Sequence, residues 1–367
     1  MTTHSDIVDQ VLAQYRQQLV DYEQYWYLGN RFEYHPIAGY VLAPYTSATL
    51  NISNQGFRGP EYNFRKVHDN PRIAVFGPSA LVGIPNSSDD TTITSFMERS
   101  FQSKGVNAEI MNFGVICGRI NNEMRMISKF LIDYDIDAVV LLSGYNDGWS
   151  FAMGSLWEFQ DITDIHLRGF EANRHADKPL YFLKQAWNAW LRKQVVAKAR
   201  RASRKNFRGA EKFFRNRRAT DVDRVQPVPV FDTGERIYLQ FLQQIVSACN
   251  YAGKPFYYIF QPNIFTSSKP LSPYENAAKE TMENAFGQNP SLQRARIEQF
   301  RQFYFSLGEK TKSLVTEIGG HVIDADACFS AMSSDKEVFF DECHYREVGN
   351  EAIAVIVANE IMKALPQ

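Results

Sequence analysis

The chain has 367 residues, room for one large domain or two ordinary ones. With 44% hydrophobic and 22% charged residues it is excluded from the disordered, collagen-like and coiled-coil classes. Its 40 Lys+Arg nearly balance 41 Asp+Glu, for a formal net charge of -1, so polyanion binding is not a property of the molecule as a whole. The longest apolar runs, such as AVVLLSG at 138–144, fall far short of the roughly 20 residues that a membrane-spanning helix needs.

The chain opens without a basic stretch leading into an apolar one, and the expected location is cytoplasmic. Cys117, Cys249, Cys328 and Cys343 are too few and too scattered for a disulfide framework and are expected as thiols.

Residues 6–22 place Ile7, Val8, Val11, Leu12, Tyr15 and Leu19 at helical spacing. From 25 to 63 the chain turns aromatic and is punctuated by Gly and Pro, which predicts short strands and turns, so 1–70 reads as an N-terminal elaboration. RIAVFG at 72–77 is then a nearly continuous apolar run ending in Gly, the pattern of a strand buried on both faces of a parallel sheet. A helical stretch near 91–103 follows. The alternation repeats with AEIMNFG (108–114) before a helix at 119–134, and with DAVVLLSG (137–144). PFYYIFQ (255–261) and HVIDAD (321–326) complete the set, separated by helices at 234–252 and 292–318 and closed by one at 346–365. Strand alternating with helix at this spacing predicts right-handed βαβ units and a parallel α/β sheet of about five strands, built from 71–160 and 233–367.

Between the third and fourth strands lies a different text, 161–232. Its segment 190–224 holds thirteen Lys and Arg against three acidic residues. Four of the five tryptophans, Trp149, Trp157, Trp187 and Trp190, stand before it or at its edge. Trp187 and Trp190, three apart in an apolar stretch, read as packing. The basic segment, with Phe207, Phe213 and Phe214 interleaved, reads as a solvated helical face or as a peripheral contact with an anionic membrane or an anionic substrate carrier. Nucleic acid is disfavoured, since the charge is confined to one segment and no binding motif accompanies it.

Ligands of an open parallel sheet bind beyond the carboxyl ends of its strands. Strand one is followed there by Gly77-Pro78-Ser79, strand two by Gly114 to Gly118 and Arg119, and strand three by Gly144-Tyr145-Asn146-Asp147; Asp341-Glu342-Cys343-His344 precedes the last helix. Each type has a task in acyl transfer. Ser79 attacks a carbonyl once an imidazole takes its proton, His344 is the candidate base, and Asp341, three residues earlier, is placed to hold the other ring nitrogen. The Ser79 and Gly118 backbone N–H groups and the Asn146 side-chain amide are candidate oxyanion donors. Cys343 beside His344 lacks companions at zinc spacing and reads as a small buried side chain, so neither metal nor cofactor is expected.

These four blocks, in this order and strand context, resemble the SGNH (GDSL-like) hydrolase superfamily. Serine stands in the first, glycine in the second, GYND at 144–147 matches the family's GxND, and DECHYREVGNEAIAVIVANEI resembles its DxxH followed by a closing helix. The family's Gly-Asp-Ser reads Gly77-Pro78-Ser79 here, and Gly118 is taken as the block-two glycine because CGRIN resembles the family turn. The resemblance spans roughly 72–365. It implies a flavodoxin-like three-layer α/β/α fold and metal-independent ester hydrolysis, with Ser79, Asp341 and His344 catalytic and with Ser79, Gly118 and Asn146 forming the oxyanion hole. The substrate it suggests is an O-acyl group, in the narrowest form O-acetyl, on a sugar or glycoconjugate, because proteins with a similar NQGFRG segment resemble polysaccharide-associated ones. An acyltransferase using the same serine and a catalytically silent binding module are the alternatives.

Overall fold

The structure is a computed structural model that describes residues 32–35, 39–83, 86, 88–154, 229–285 and 290–364. The chain divides into two units, Met1–Trp157 with Pro229–Gln367, and Glu158–Val228. The second unit, with Trp187, Trp190 and the basic segment 190–224, lies outside the described residues, as do Trp157 and the helix expected at 6–22.

Two small antiparallel pairs open the described chain: β1 (Phe32–His35) with β2 (Gly39–Leu42), and β3 (Tyr45–Thr46) with β4 (Asn51–Ile52). The remaining strands, β5 (Arg72–Gly77), β6 (Glu109–Gly114), β7 (Ala138–Ser143), β8 (Phe256–Phe260) and β9 (His321–Val322), form one all-parallel sheet in the order β6-β5-β7-β8-β9. Counted within the sheet this is 2-1-3-4-5, the doubly wound flavodoxin-like order. Every residue of β5 and β7 is buried, which is why both read as unbroken apolar runs rather than as alternation.

Helices cover both faces. On one, Ile73, Val75, Val140, Leu142 and Ile259 pack with Met97 and Phe101 of α2 (Ile93–Gln102) and with Ile353, Val357 and Ile361 of α9 (Glu347–Ala364). Each such fully buried aliphatic side chain is worth roughly 1.5–3 kcal/mol. On the other face α3 (Ile120–Asp133) packs against α5 (Phe231–Tyr251), which in turn meets α7 (Pro290–Glu317). Phe76 stacks on Phe113 there, Phe130 meets Phe113 at a tilt, and Tyr238 and Tyr258 join hydroxyls at 3.0 Å. Three further helices are the single turn α1 (Ser79–Val82), α4 (Tyr145–Ala152) and α6 (Pro273–Ala285).

The last expected strand differs from the sequence reading. HVIDAD pairs only over β9; Asp324 then accepts the Ala327 N–H at 2.9 Å and starts the short helix α8 (Ala325–Ser330). No helix among the described residues is long and apolar enough to cross a membrane.

Candidate active site

The chain turns sharply after β5. Pro78 stays extended and its carbonyl accepts the Leu81 and Val82 N–H groups at 2.9 and 3.2 Å, so α1 begins at Ser79 without a side-chain cap. Proline is at home here: it has no N–H to leave unsatisfied, and its fixed φ suits a helix start. Ser79 thus lies just beyond the carboxyl end of a central strand, with its N–H in the first turn, where no intrahelical acceptor exists.

His344 arrives from the opposite end of the sequence. Its Nε2 lies 2.8 Å from Ser79 Oγ, and its Nδ1 lies 2.7 and 2.9 Å from the two Asp341 oxygens. Asp341 Oδ1 also accepts the Cys343 and His344 backbone N–H groups at 3.0 and 2.8 Å. Burial alone would raise the Asp341 carboxyl, but His344 and these hydrogen bonds outweigh it and hold the group below its ordinary value. Burial likewise disfavours an imidazolium at His344, yet the Asp341 carboxylate prevails and holds the ring above its ordinary 6.5. Serine, imidazole and carboxylate therefore form a continuous line with the carboxylate ionised.

Neighbours from several elements brace this loop. Glu275, fully buried, accepts the Val338 and Phe339 N–H groups through Oε1, while its Oε2 takes the Ser272 N–H and the buried Lys269 ammonium, each within 2.9 Å. Tyr274 donates to the Phe340 carbonyl, Ile264 N–H to that of Glu342, and Gln261 to that of Cys343. Glu275 is absent from the sequence reading although its signal was present: Ser272-Pro273-Tyr274-Glu275 is a capping box, with Ser272 Oγ accepting the Glu275 N–H at 3.1 Å.

The oxyanion candidates stand differently. Asn146, on the first turn of α4, donates from Nδ2 to the Gly118 carbonyl at 2.9 Å, which uses one of its two amide hydrogens. Gly118 N–H closes a turn onto the Val115 carbonyl at 2.9 Å, and Cys117 within that turn adopts φ 57. A Cβ on Gly118 would fall 2.9 Å from the Val115 oxygen, so only glycine fits. The structure therefore puts the Gly118 carbonyl in contact with Asn146 and turns its N–H to the chain itself. Beneath this turn Asp147, 2% exposed, accepts the Ile120 N–H at 3.1 Å and faces Arg119 at 3.5 Å. Burial, only partly offset by Arg119 and that N–H, pushes Asp147 up to about 6. Nearby, Glu123 Oε2 accepts the Ser143 hydroxyl at 2.6 Å, and burial pushes the Glu123 carboxyl well up.

Asp341, Cys343 and His344 bring donor atoms within 4.8 Å of one another. The carboxylate and Nδ1 already bind each other, and burial together with Asp341 and Glu342 pushes the Cys343 thiol well up.

No family model and no curated protein matches the chain. Solved structures do. An acetylxylan esterase of Geobacillus stearothermophilus aligns at 12% identity over 81% of this chain and 96% of its own, with a TM-score of 0.43. A member of the lipolytic G-D-S-L family from Veillonella parvula aligns at 12% over 80% and 99%, TM-score 0.42. An acetyl xylan esterase aligns at 14% over 80% and 100%, TM-score 0.40. The described core has a flavodoxin-like architecture with a 2-1-3-4-5 parallel sheet, and Ser79, Gly118 and Asn146 stand beyond the carboxyl ends of its first three strands.

Proposed function

We propose that this protein is a serine-dependent carboxylic ester hydrolase. The observation that carries the reading is the unbroken relay from Ser79 Oγ through His344 to Asp341, with 2.8 and 2.7 Å links. Ser79 Oγ attacks the ester carbonyl as its proton passes to His344 Nε2, while Asp341 holds Nδ1 and stabilises the imidazolium that forms. The tetrahedral oxyanion takes its hydrogen bonds from the Ser79 N–H and from the second amide hydrogen of Asn146. Gly118 serves through its carbonyl, which orients that amide; its N–H would reach an oxyanion only by leaving Val115. His344 then protonates the departing alkoxide, giving the alcohol and an acyl-Ser79. Water, losing its proton to His344, releases the acid and restores the serine. In its narrowest form the substrate is an O-acetyl group of a sugar or glycoconjugate, which rests on the likeness of the NQGFRG segment.

The test compares wild type with Ser79→Ala on p-nitrophenyl acetate, alongside labelling by a fluorophosphonate. Loss of at least about 10³-fold in kcat and of all labelling in a folded variant is the expected result. Equal rates and no labelling in either protein would overturn the reading in favour of a silent binding module. Sugar alcohols that capture the acyl group in place of water would turn it into a transferase.

A further inference from the structure

The helix that begins with Ser79 is a single turn, and one turn does not hold itself. Something else must fix it. The carbonyls of its last two residues and of Gly83, which caps it, all meet buried side chains: Leu81 that of Asn112 through Nδ2 at 3.0 Å, and Val82 and Gly83 that of Arg58 through Nη1 at 2.9 and 2.6 Å. Arg58 belongs to the N-terminal elaboration, not to the α/β core. It is 3% exposed, and its other nitrogens reach the Thr49 carbonyl at 2.9 Å and Asp89 Oδ1 at 2.6 Å. One guanidinium thus joins the N-terminal module, the end of α1 and the turn that leads into α2. A cation at this end of a helix also complements its dipole.

The surrounding NQGFRG text is built to deliver it. Gln55 bonds the Tyr62 backbone in both directions at 2.8 and 2.7 Å, and Phe57 sets its ring edge-on to Phe113 and Phe130. Gly83 receives the guanidinium at φ +80; a Cβ there would stand 3.0 Å from Arg58 Nη1 and 2.5 Å from Asn86 Nδ2. The same module reaches the second block too, since the Tyr40 hydroxyl donates to the Ile116 carbonyl at 2.8 Å, inside the turn that ends at Gly118.

We propose that Arg58 is a positioning residue for the nucleophile: by clamping the far end of its one-turn helix, it fixes where Ser79 Oγ stands relative to His344. This rests on the hydrolase reading and adds to it that the N-terminal module is part of the catalytic apparatus. A displacement of about 1 Å in a reacting atom can cost about 10²-fold in rate.

The experiment follows fluorophosphonate labelling of Ser79 and p-nitrophenyl acetate turnover in wild type, Arg58→Ala, Arg58→Lys and, as a packing control, Phe57→Leu. Near-UV dichroism reports folding. Arg58→Ala is expected to lose about 10- to 100-fold in both labelling rate and kcat, with KM within about twofold, and to recover several-fold in millimolar guanidinium ion. Arg58→Lys, which keeps the charge without the fork, should lie between. Labelling and kcat within twofold of wild type in a folded variant overturn the proposal. So does a loss that guanidinium does not move and that Phe57→Leu reproduces. If Arg58→Ala does not fold, folded Arg58→Lys decides alone: a lower labelling rate supports the clamp, a wild-type rate overturns it. Wild type that fails to label while folded would bring down the hydrolase reading and this inference with it, an outcome distinct from the others.

Discussion

The loop carrying Asp341 and His344 and the turn carrying Gly118 are held in different ways. The first is braced from outside: Glu275, Tyr274, Gln261 and Ile264 take or supply its backbone hydrogen bonds, and its two functional side chains already bond each other and Ser79. The second spends its Gly118 N–H on Val115 and holds Cys117 in the left-handed region, while from outside only its carbonyls are taken, Ile116 by Tyr40 and Gly118 by Asn146. On the proposed hydrolase reading, proton transfer is preassembled, whereas charge stabilisation depends on the Ser79 N–H and on an Asn146 amide that the turn orients through the Gly118 carbonyl. The difference tells which half of the site tolerates change and which protects its geometry.

The largest effect should follow from cutting the braced half. Asp341→Asn keeps the shape but removes the charge that orients His344 and raises it. Loss of about 10⁴-fold in kcat is expected. The pH profile sharpens this. Activity needs neutral His344, and His344 is raised above 6.5, so the acid limb of kcat/KM in wild type should lie above 6.5. With the Asp341 charge gone, burial is left as the main influence and the limb should move to lower pH. A limb that stays in place would show that the titrating group is not His344. On the other half, Asn146→Ala removes both the oxyanion donor and the hydrogen bond to the Gly118 carbonyl. It should cost about 10²- to 10³-fold in kcat with a small change in KM. A loss confined to KM would reassign Asn146 to substrate binding.

The sheet and the residues that meet at its edge were legible in the sequence; the contacts that hold them were not, for physical causes. The core strands could be read because a sheet buried on both faces demands continuous apolar runs, and β5 and β7 supply them. Asp341 and His344 could be singled out because they stand three residues apart before a helix, and the structure brings their side chains to 2.7 Å. HVIDAD could not be divided correctly: its apolar residues suit a strand, but Asp324 caps a helix that begins one residue later. Arg58 was invisible as a site residue, and the Glu275 capping box announced only a helix start, because their contacts at the site are made across the fold, 24 residues from Val82 in one case and 63 from Val338 in the other. The engaged state of Gly118 N–H depends on the local turn conformation, which CGRIN alone does not specify.

The smallest expected effect tests the strain in the Gly118 turn. Cys117 is the only non-glycine residue with positive φ among those described, at φ 57. For a side chain bearing a Cβ that conformation costs roughly 1–2 kcal/mol. Cys117→Gly relieves it but also frees the unfolded chain, which returns about 0.5–1 kcal/mol, so the net gain should be about 1 kcal/mol or less. Cys117→Ala keeps the Cβ and the strain while removing the thiol, and should not gain. Urea midpoints of the two variants against wild type measure the difference, and kcat on the same proteins reports its use. If the turn's stiffness helps hold Asn146 through the Gly118 carbonyl, the glycine variant gains stability and loses a few-fold in kcat, while the alanine variant keeps its rate. Equal rates in all three proteins would show that the strain is merely tolerated and that the turn contributes through its hydrogen bonds alone.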